Sequence, residues 1–235
     1  MVDRQLNYGP DKIKALLTES LPYGSVLDFG AGRGRDLGIA REVNPASRLI
    51  AIESYPPCVE ALRKSGVEVH SKDLERDVFP FERESLDVVI SNQVMEHVKE
   101  IFWILHQVAT VLKVGGNLII GVPNLASLHN RLLLLLGRQP TSMKNWSAHV
   151  RGFTYRDLVE VLDKGAPGVF KLKSVMGSNF YPFPPFLARP LAWLFPTLAW
   201  AVFIRIEKVA PYDGSFLRYP VESALETKFF LGSEA

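Results

Sequence analysis

Val26-Leu27-Asp28-Phe29-Gly30-Ala31-Gly32-Arg33-Gly34 decides how this chain is read. A short apolar run passes straight into a turn in which alternate positions carry no Cβ, so the backbone can bend tightly and approach a ligand closely. The helical pattern that follows, Arg35–Val43, offers its free N–H groups to the same ligand. The spacing then discriminates. A dinucleotide fingerprint asks for glycine or alanine at position 35, where Arg35 stands. A phosphate loop asks for Gly-Lys-Ser/Thr, which the chain lacks. A nucleoside-like ligand with an amino-acid tail is thereby favoured over a pyrophosphate, against the plain alternative of a tight turn with no ligand.

Outward from that turn, apolar runs alternate with amphipathic stretches, the order expected of parallel strands with crossover helices. Strands are expected at Ser25–Phe29, Arg48–Glu53, Val67–Ser71, Leu86–Asn92 and Asn117–Val122, and an antiparallel pair around Val169–Met176 and Trp200–Lys208. Helices are expected at Asp11–Ser20, Arg35–Val43, Pro57–Ser65, Glu100–Leu112 and Arg131–Arg138, and from the N-cap Thr154 to about Asp163. Gly115 and Gly116 read as the stop between the fourth crossover helix and the next strand. From Asp213 onward the chain reads as an irregular tail.

Further positions belong with the glycine turn. Glu53 ends the second strand about 20 residues after it, the spacing of an acid that accepts from ribose hydroxyls. The same spacing suits NAD, so Glu53 supports a nucleoside without choosing the cofactor. Asp73 follows the third strand, where it can accept from an adenine amine while Leu74 packs on the ring; alone it reads as a turn residue. Asn92 ends the fourth strand beside the first, at the switch point where open α/β sheets bind ligands.

In this order these elements resemble the class I S-adenosylmethionine-dependent methyltransferases, and most closely the type 11 group with its ubiquinone-biosynthesis-like O-methyltransferases. The resemblance runs from about Gly24 to Val122 and rests on Asp28-x-Gly30-x-Gly32-x-Gly34, Glu96-His97 after strand four, and Leu112-Lys113-Val114-Gly115-Gly116. It continues more weakly through His149-Val150-Arg151-Gly152-Phe153-Thr154. It implies a Rossmann-like α/β fold, a seven-stranded sheet in the order 3-2-1-4-5-7-6 with strand 7 antiparallel and helices on both faces. It also implies S-adenosylmethionine as cofactor and S-adenosylhomocysteine as product. Asp28, Gly30, Gly32 and Gly34 would hold the methionine end, Glu53 the ribose and Asp73 the adenine. Residues 1–235 are expected to form one methyltransferase domain, with a long connection at 124–153 and an apolar proline-rich insertion at 179–199.

Methyl transfer from a sulfonium needs alignment, and a base only where the acceptor must lose a proton. His97 is the first candidate base and His149 the second; the plainer role for His97 is a hydrogen bond to a backbone carbonyl that shapes the pocket. His70, His106 and His129 are given no role. No metal is expected, because no pair of histidines shows ligand spacing with a third partner. A non-catalytic protein that binds the same cofactor would carry the same residues. An NAD-dependent oxidoreductase is disfavoured by the glycine spacing.

A net charge of +2 with no basic run argues against a nucleic-acid partner. Cys58 is the only cysteine, which excludes an intramolecular disulfide and a cysteine zinc cluster. The polar start through Lys12 lacks the apolar core of a secretory signal, so a cytoplasmic location is the expectation. The aromatic stretch Asn179–Ile206 is too broken by prolines for a spanning helix, which needs roughly 20 continuous apolar residues. It is read as packing on its own domain, making a dimer contact, or touching a membrane peripherally; the last two readings, with the leucine-rich helix, motivate a lipid-linked or otherwise hydrophobic acceptor beside the plainer small-molecule one.

Overall fold

A computed structural model describes residues 4–232. Seven strands, β1 (Ser25–Phe29), β2 (Arg48–Ile52), β3 (Glu68–His70), β4 (Leu86–Asn92), β5 (Leu112–Pro123), β6 (Phe170–Ser178) and β7 (Ala201–Lys208), form one sheet in the order β3-β2-β1-β4-β5-β7-β6. Pairings among β1 to β5 are parallel, and β7 runs antiparallel to both β5 and β6. The family's strand order is therefore present in full.

Successive side chains of a strand point to opposite faces, and the core divides accordingly. Leu27, Phe29, Ile50, Ile52, Val89 and Ile204 join the larger apolar cluster on one face. There they meet α4 (Ile101–Val111), α6 (Tyr155–Gly165) and α8 (Ser215–Glu222). Val26, Ala51, Val88, Ile90 and Phe203 point the other way, onto α1 (Pro10–Glu19), α2 (Arg35–Val43) and α3 (Pro56–Lys64). Burial on both faces is why these strands read as nearly unbroken apolar runs.

Local chemistry explains the boundaries. Thr154 caps α6: its hydroxyl accepts from Asp157 N–H at 3.2 Å while the Asp157 carboxylate accepts from Thr154 N–H at 3.1 Å. The fourth crossover helix stops at Val111, before Gly115, because Leu112 already pairs with Leu86; β5 then bulges before its pairing with β4 resumes at Asn117.

The tail after Asp213 is not irregular. Residues Ser215–Glu222 form α8, and Phe216 is completely buried in the larger cluster. The long connection carries α5 (Leu128–Leu135), which starts three residues earlier than the leucine run indicates, and the proline-rich segment carries α7 (Pro185–Leu194). Phe180, Ala188, Ala192 and Ala199 form a small core with Leu128 and Leu191 packed against it, so part of that segment does pack on its own domain. Its other face is open to solvent, with Phe186 74% and Trp193 77% exposed. Among the described residues no helix is long and apolar enough to cross a membrane.

Candidate active site

The glycine turn leaves the carboxyl end of β1, next to β4, where the direction of winding reverses and a crevice opens. A cavity of about 300 Å³ lies there, lined by Tyr8, Asp28, Gly30, Gly32, Asp36 and Asn92 among others. Gly32 has φ +53°, and a Cβ placed on it would meet nothing within 4 Å. Its missing side chain keeps backbone strain low and leaves the cavity open. Gly34, at φ +80°, has a different reason: a Cβ there would stand 2.6 Å from Leu62 Cδ2. This glycine lets α2 start hard against α3.

The floor of the cavity is acidic. Asp28 is 3% exposed within β1, and its carboxyl is raised well above the usual range, first by burial and then by the charges of Asp36 and Glu53. Asp36, in the first turn of α2, is also raised by burial, which a 2.8 Å hydrogen bond from Asn92 Nδ2 partly offsets. Asn92 Nδ2 donates in addition to the Tyr8 carbonyl at 3.0 Å, and this ties the N-terminal segment across the cavity. Asp36 Oδ1, Asn92 Oδ1 and Gln93 Nε2 are buried with no hydrogen-bond partner. Buried polar atoms are nearly always paired, so the two acceptor oxygens fit the ammonium of an amino-acid end and the Gln93 amide N–H fits its carboxylate.

The half-buried Glu53 closes the loop from the β2 side. One carboxylate oxygen accepts from Gly32 N–H at 2.8 Å, and the other from Ser54 N–H at 2.9 Å and Tyr55 N–H at 2.8 Å. A carboxylate has about four acceptor sites, which leaves capacity for a ribose hydroxyl. Asp73 and Leu74 do not line the cavity. Asp73 is exposed in the turn after β3, where it accepts from Glu75 N–H at 2.9 Å, and Leu74 packs against the larger cluster. Gly34 and Glu53 also stand behind the lining rather than in it.

Tyr8, Asp36 and Gln93 were missed by sequence reasoning. Asp36 had a usable signal, an acid in the first turn of the helix that the glycine turn launches. Tyr8 had none, since only the fold returns it to the cavity.

Beyond Asn92 the chain makes a 3-10 turn, Met95–His97, that carries Glu96 and His97. The long connection folds back onto it: Val150 N–H donates to the Glu96 carbonyl at 2.8 Å, and His97 Nδ1 lies 3.2 Å from the Ala148 carbonyl. The His97 and His149 rings meet edge-on with centroids 4.6 Å apart. Burial lowers the His149 pKa, as does the neighbouring His97 ring, with the Ser142 backbone offsetting part of this. Burial pushes Glu96 up to about 7, and its own backbone N–H compensates only in part. The expectation of no metal rested on distances along the chain; the fold sets Glu96, His97 and His149 side by side. A second cavity of about 330 Å³, lined by His129, Ser142, His149, Tyr181 and Trp200 among others, adjoins this group.

The fold and the crevice define a Rossmann-like protein of the class I S-adenosylmethionine-dependent methyltransferase superfamily. A family model described as a methyltransferase domain matches residues 3–164, and the chain belongs to that family. A curated relative, an uncharacterized 37.1 kDa protein in transposon Tn4556 of Streptomyces fradiae, is 35% identical over 124 residues, which make up 49% of this chain and 35% of the relative. The chain thus spans about a third of the length of the curated relative that it matches. Among solved structures, a SAM-dependent methyltransferase from Archaeoglobus fulgidus superposes with a TM-score of 0.58 at 18% identity, over 85% of this chain and 95% of that one. The 1,6-didemethyltoxoflavin-N1-methyltransferase of Burkholderia thailandensis, bound to its acceptor and S-adenosylhomocysteine, gives 0.57 at 18% identity, over 86% and 78%. At such identities the likeness speaks for the fold alone.

Proposed function

We propose that the chain binds S-adenosylmethionine in the crevice at β1 and β4 and transfers its methyl group to the oxygen of a small or lipid-linked acceptor by in-line displacement. The observation that carries this reading is the buried acidic pair Asp28 and Asp36 beneath a glycine turn with room over Gly32. A cationic amino-acid tail matches that floor; a pyrophosphate, carrying negative charge, does not.

The cofactor supplies an activated methyl group, and the chain's part is to bind, orient and exclude water. Asp28 and Asp36 hold the cationic end, Asn92 Oδ1 and Asp36 Oδ1 accept its N–H groups, and Glu53 takes the ribose. Asp73 and Leu74, past the next strand of the edge, take the adenine. The Tyr8 segment covers the cavity through its bond to Asn92. Alignment of reacting atoms at ~3–3.5 Å supplies several kcal/mol of the rate enhancement. An acceptor proton leaves toward His97, whose Nδ1 contact with the Ala148 carbonyl leaves Nε2 available.

Residues 1–235 act in this reading as one methyltransferase unit in which 124–153 and 179–199 serve the acceptor. The outward apolar faces of α5 and α7, with Leu135, Trp146 and Trp193 each more than three-quarters exposed, support a peripheral membrane contact on the cytoplasmic side. Arg131, Arg138, Lys144 and Arg189 are also exposed in these segments and suit anionic headgroups.

The test is calorimetric titration with S-adenosylhomocysteine, beside NAD, on the unaltered chain and on Glu53→Ala. Binding of the first ligand alone, weakened at least tenfold by the substitution, is the expected result. Preference for NAD, or no binding of either, would sink the proposal.

A further inference from the structure

We propose that Glu96, His97 and His149 form a binding site for a divalent transition-metal ion of the zinc type. Glu96 is 1% exposed, yet neither carboxylate oxygen has a hydrogen bond of good geometry, and only its own backbone N–H acts on the group. Among the described residues no lysine or arginine pairs with it. His149 Nδ1 is likewise buried and without a hydrogen bond of good geometry. Three unpaired polar atoms at one buried spot are costly unless something else satisfies them.

A cation does so with the geometry available. One donor atom from each of the three side chains lies within 4.8 Å of the other two. Two donors at ~2.1 Å from a shared ion stand at most ~4.2 Å apart, so modest side-chain rotations close the group. The surroundings are those of ligands held in place. The Ala148 carbonyl beside His97 Nδ1, at 3.2 Å, takes that nitrogen's proton in a hydrogen bond and leaves Nε2 with its lone pair toward an ion. Val150 N–H and Arg151 N–H both donate to the Glu96 carbonyl, at 2.8 and 3.3 Å, and this locks the loop segment carrying His149 against the turn carrying its partners.

Two imidazoles and one carboxylate favour zinc, iron, copper or nickel over magnesium, calcium or manganese, which prefer oxygen donors. Three protein donors also leave a position open. Gln93, three residues before Glu96, lines the cofactor cavity, and His149 lines the second cavity. With an ion in place, an acceptor oxygen bound at the open position would be acidified by it, and His97 would serve as a ligand instead of the base it is without the ion. That last role rests on the methyl-transfer reading; the metal site does not.

The experiment is titration of chelator-stripped full chain with Zn²⁺ by calorimetry and with Co²⁺ by visible absorption. One equivalent is expected to bind, with at least tenfold weaker affinity in His149→Ala and in His97→Ala. His149 lies in the long connection outside helix and strand, so its variant is expected to keep the fold, which circular dichroism and S-adenosylhomocysteine binding in the same samples check. Glu96→Gln serves as a third variant that keeps size and shape. Failure of the unaltered chain to bind either ion at a several-fold molar excess overturns the site, as does binding that the variants leave unchanged. Metal binding without S-adenosylhomocysteine binding would uphold this site and defeat the methyl-transfer reading; the reverse would do the opposite.

Discussion

Gly32 and Asp36 are the residues on which the ligand reading turns, and each permits a sharp test. A valine at Gly32 must adopt φ +53°, costing about 1–2 kcal/mol, and its side chain enters the cavity rather than the core. Gly32→Val is therefore expected to abolish S-adenosylhomocysteine binding while lowering Tm by only a few degrees, measured by calorimetry and thermal melting. Intact binding would place the ligand elsewhere. Asp36→Asn keeps the shape but removes a charge beneath the cation, and at least a tenfold loss of affinity is expected. Lys208 tests stability alone. Its completely buried ammonium donates to Glu84 at 2.9 Å and to the Ala109 and Leu112 carbonyls at 2.9 and 2.8 Å, so Lys208→Ala is expected to cost about 3–5 kcal/mol in urea unfolding.

At the scale of elements, α8 and α4 meet through Phe102 and Tyr219, and a histidine adds a polar link. His106 on α4 meets the Tyr212 hydroxyl at 3.0 Å, and that hydroxyl in turn accepts from Phe216 N–H at the start of α8. Burial, with Arg83 nearby, pulls the His106 pKa down to about 4. A histidine held neutral in the fold contributes stability that is complete above its unfolded value near 6.5 and is lost as pH falls from there toward 4. Thermal melts between pH 7.5 and 4.5 should therefore fall less steeply for His106→Gln than for the unaltered chain; equal slopes would refute the coupling. An eight-residue helix has little stability by itself, which is why the sequence after Asp213 reads as a tail. Packing of Phe216 is what forms α8. By contrast Ser25–Phe29, Arg35–Val43 and Leu86–Asn92 were legible to the residue, because a buried strand or a helix after a glycine turn is dictated by neighbours in sequence.

For the molecule as a whole, the question is what the apolar faces of α5 and α7 meet. Flotation with anionic vesicles is expected to carry a fraction of the protein upward, and Phe186→Ser combined with Trp193→Ser to reduce it. Protein that stays wholly in the soluble fraction would leave self-association or a soluble acceptor as the role of that surface.

The sequence by itself determined the sheet, its crossover helices and the glycine turn. Their signals are periodicity and spacing over a few residues; the order of the strands was implied by the family resemblance that those motifs carry, and the sheet has that order. Only the tertiary structure decided which side chains share a site. The Tyr8 carbonyl meets Asn92 from the N-terminal segment, and His149 reaches Glu96 and His97 through a long connection. Such meetings depend on how the chain returns to the carboxyl edge of the sheet, and no local pattern of residues records that path.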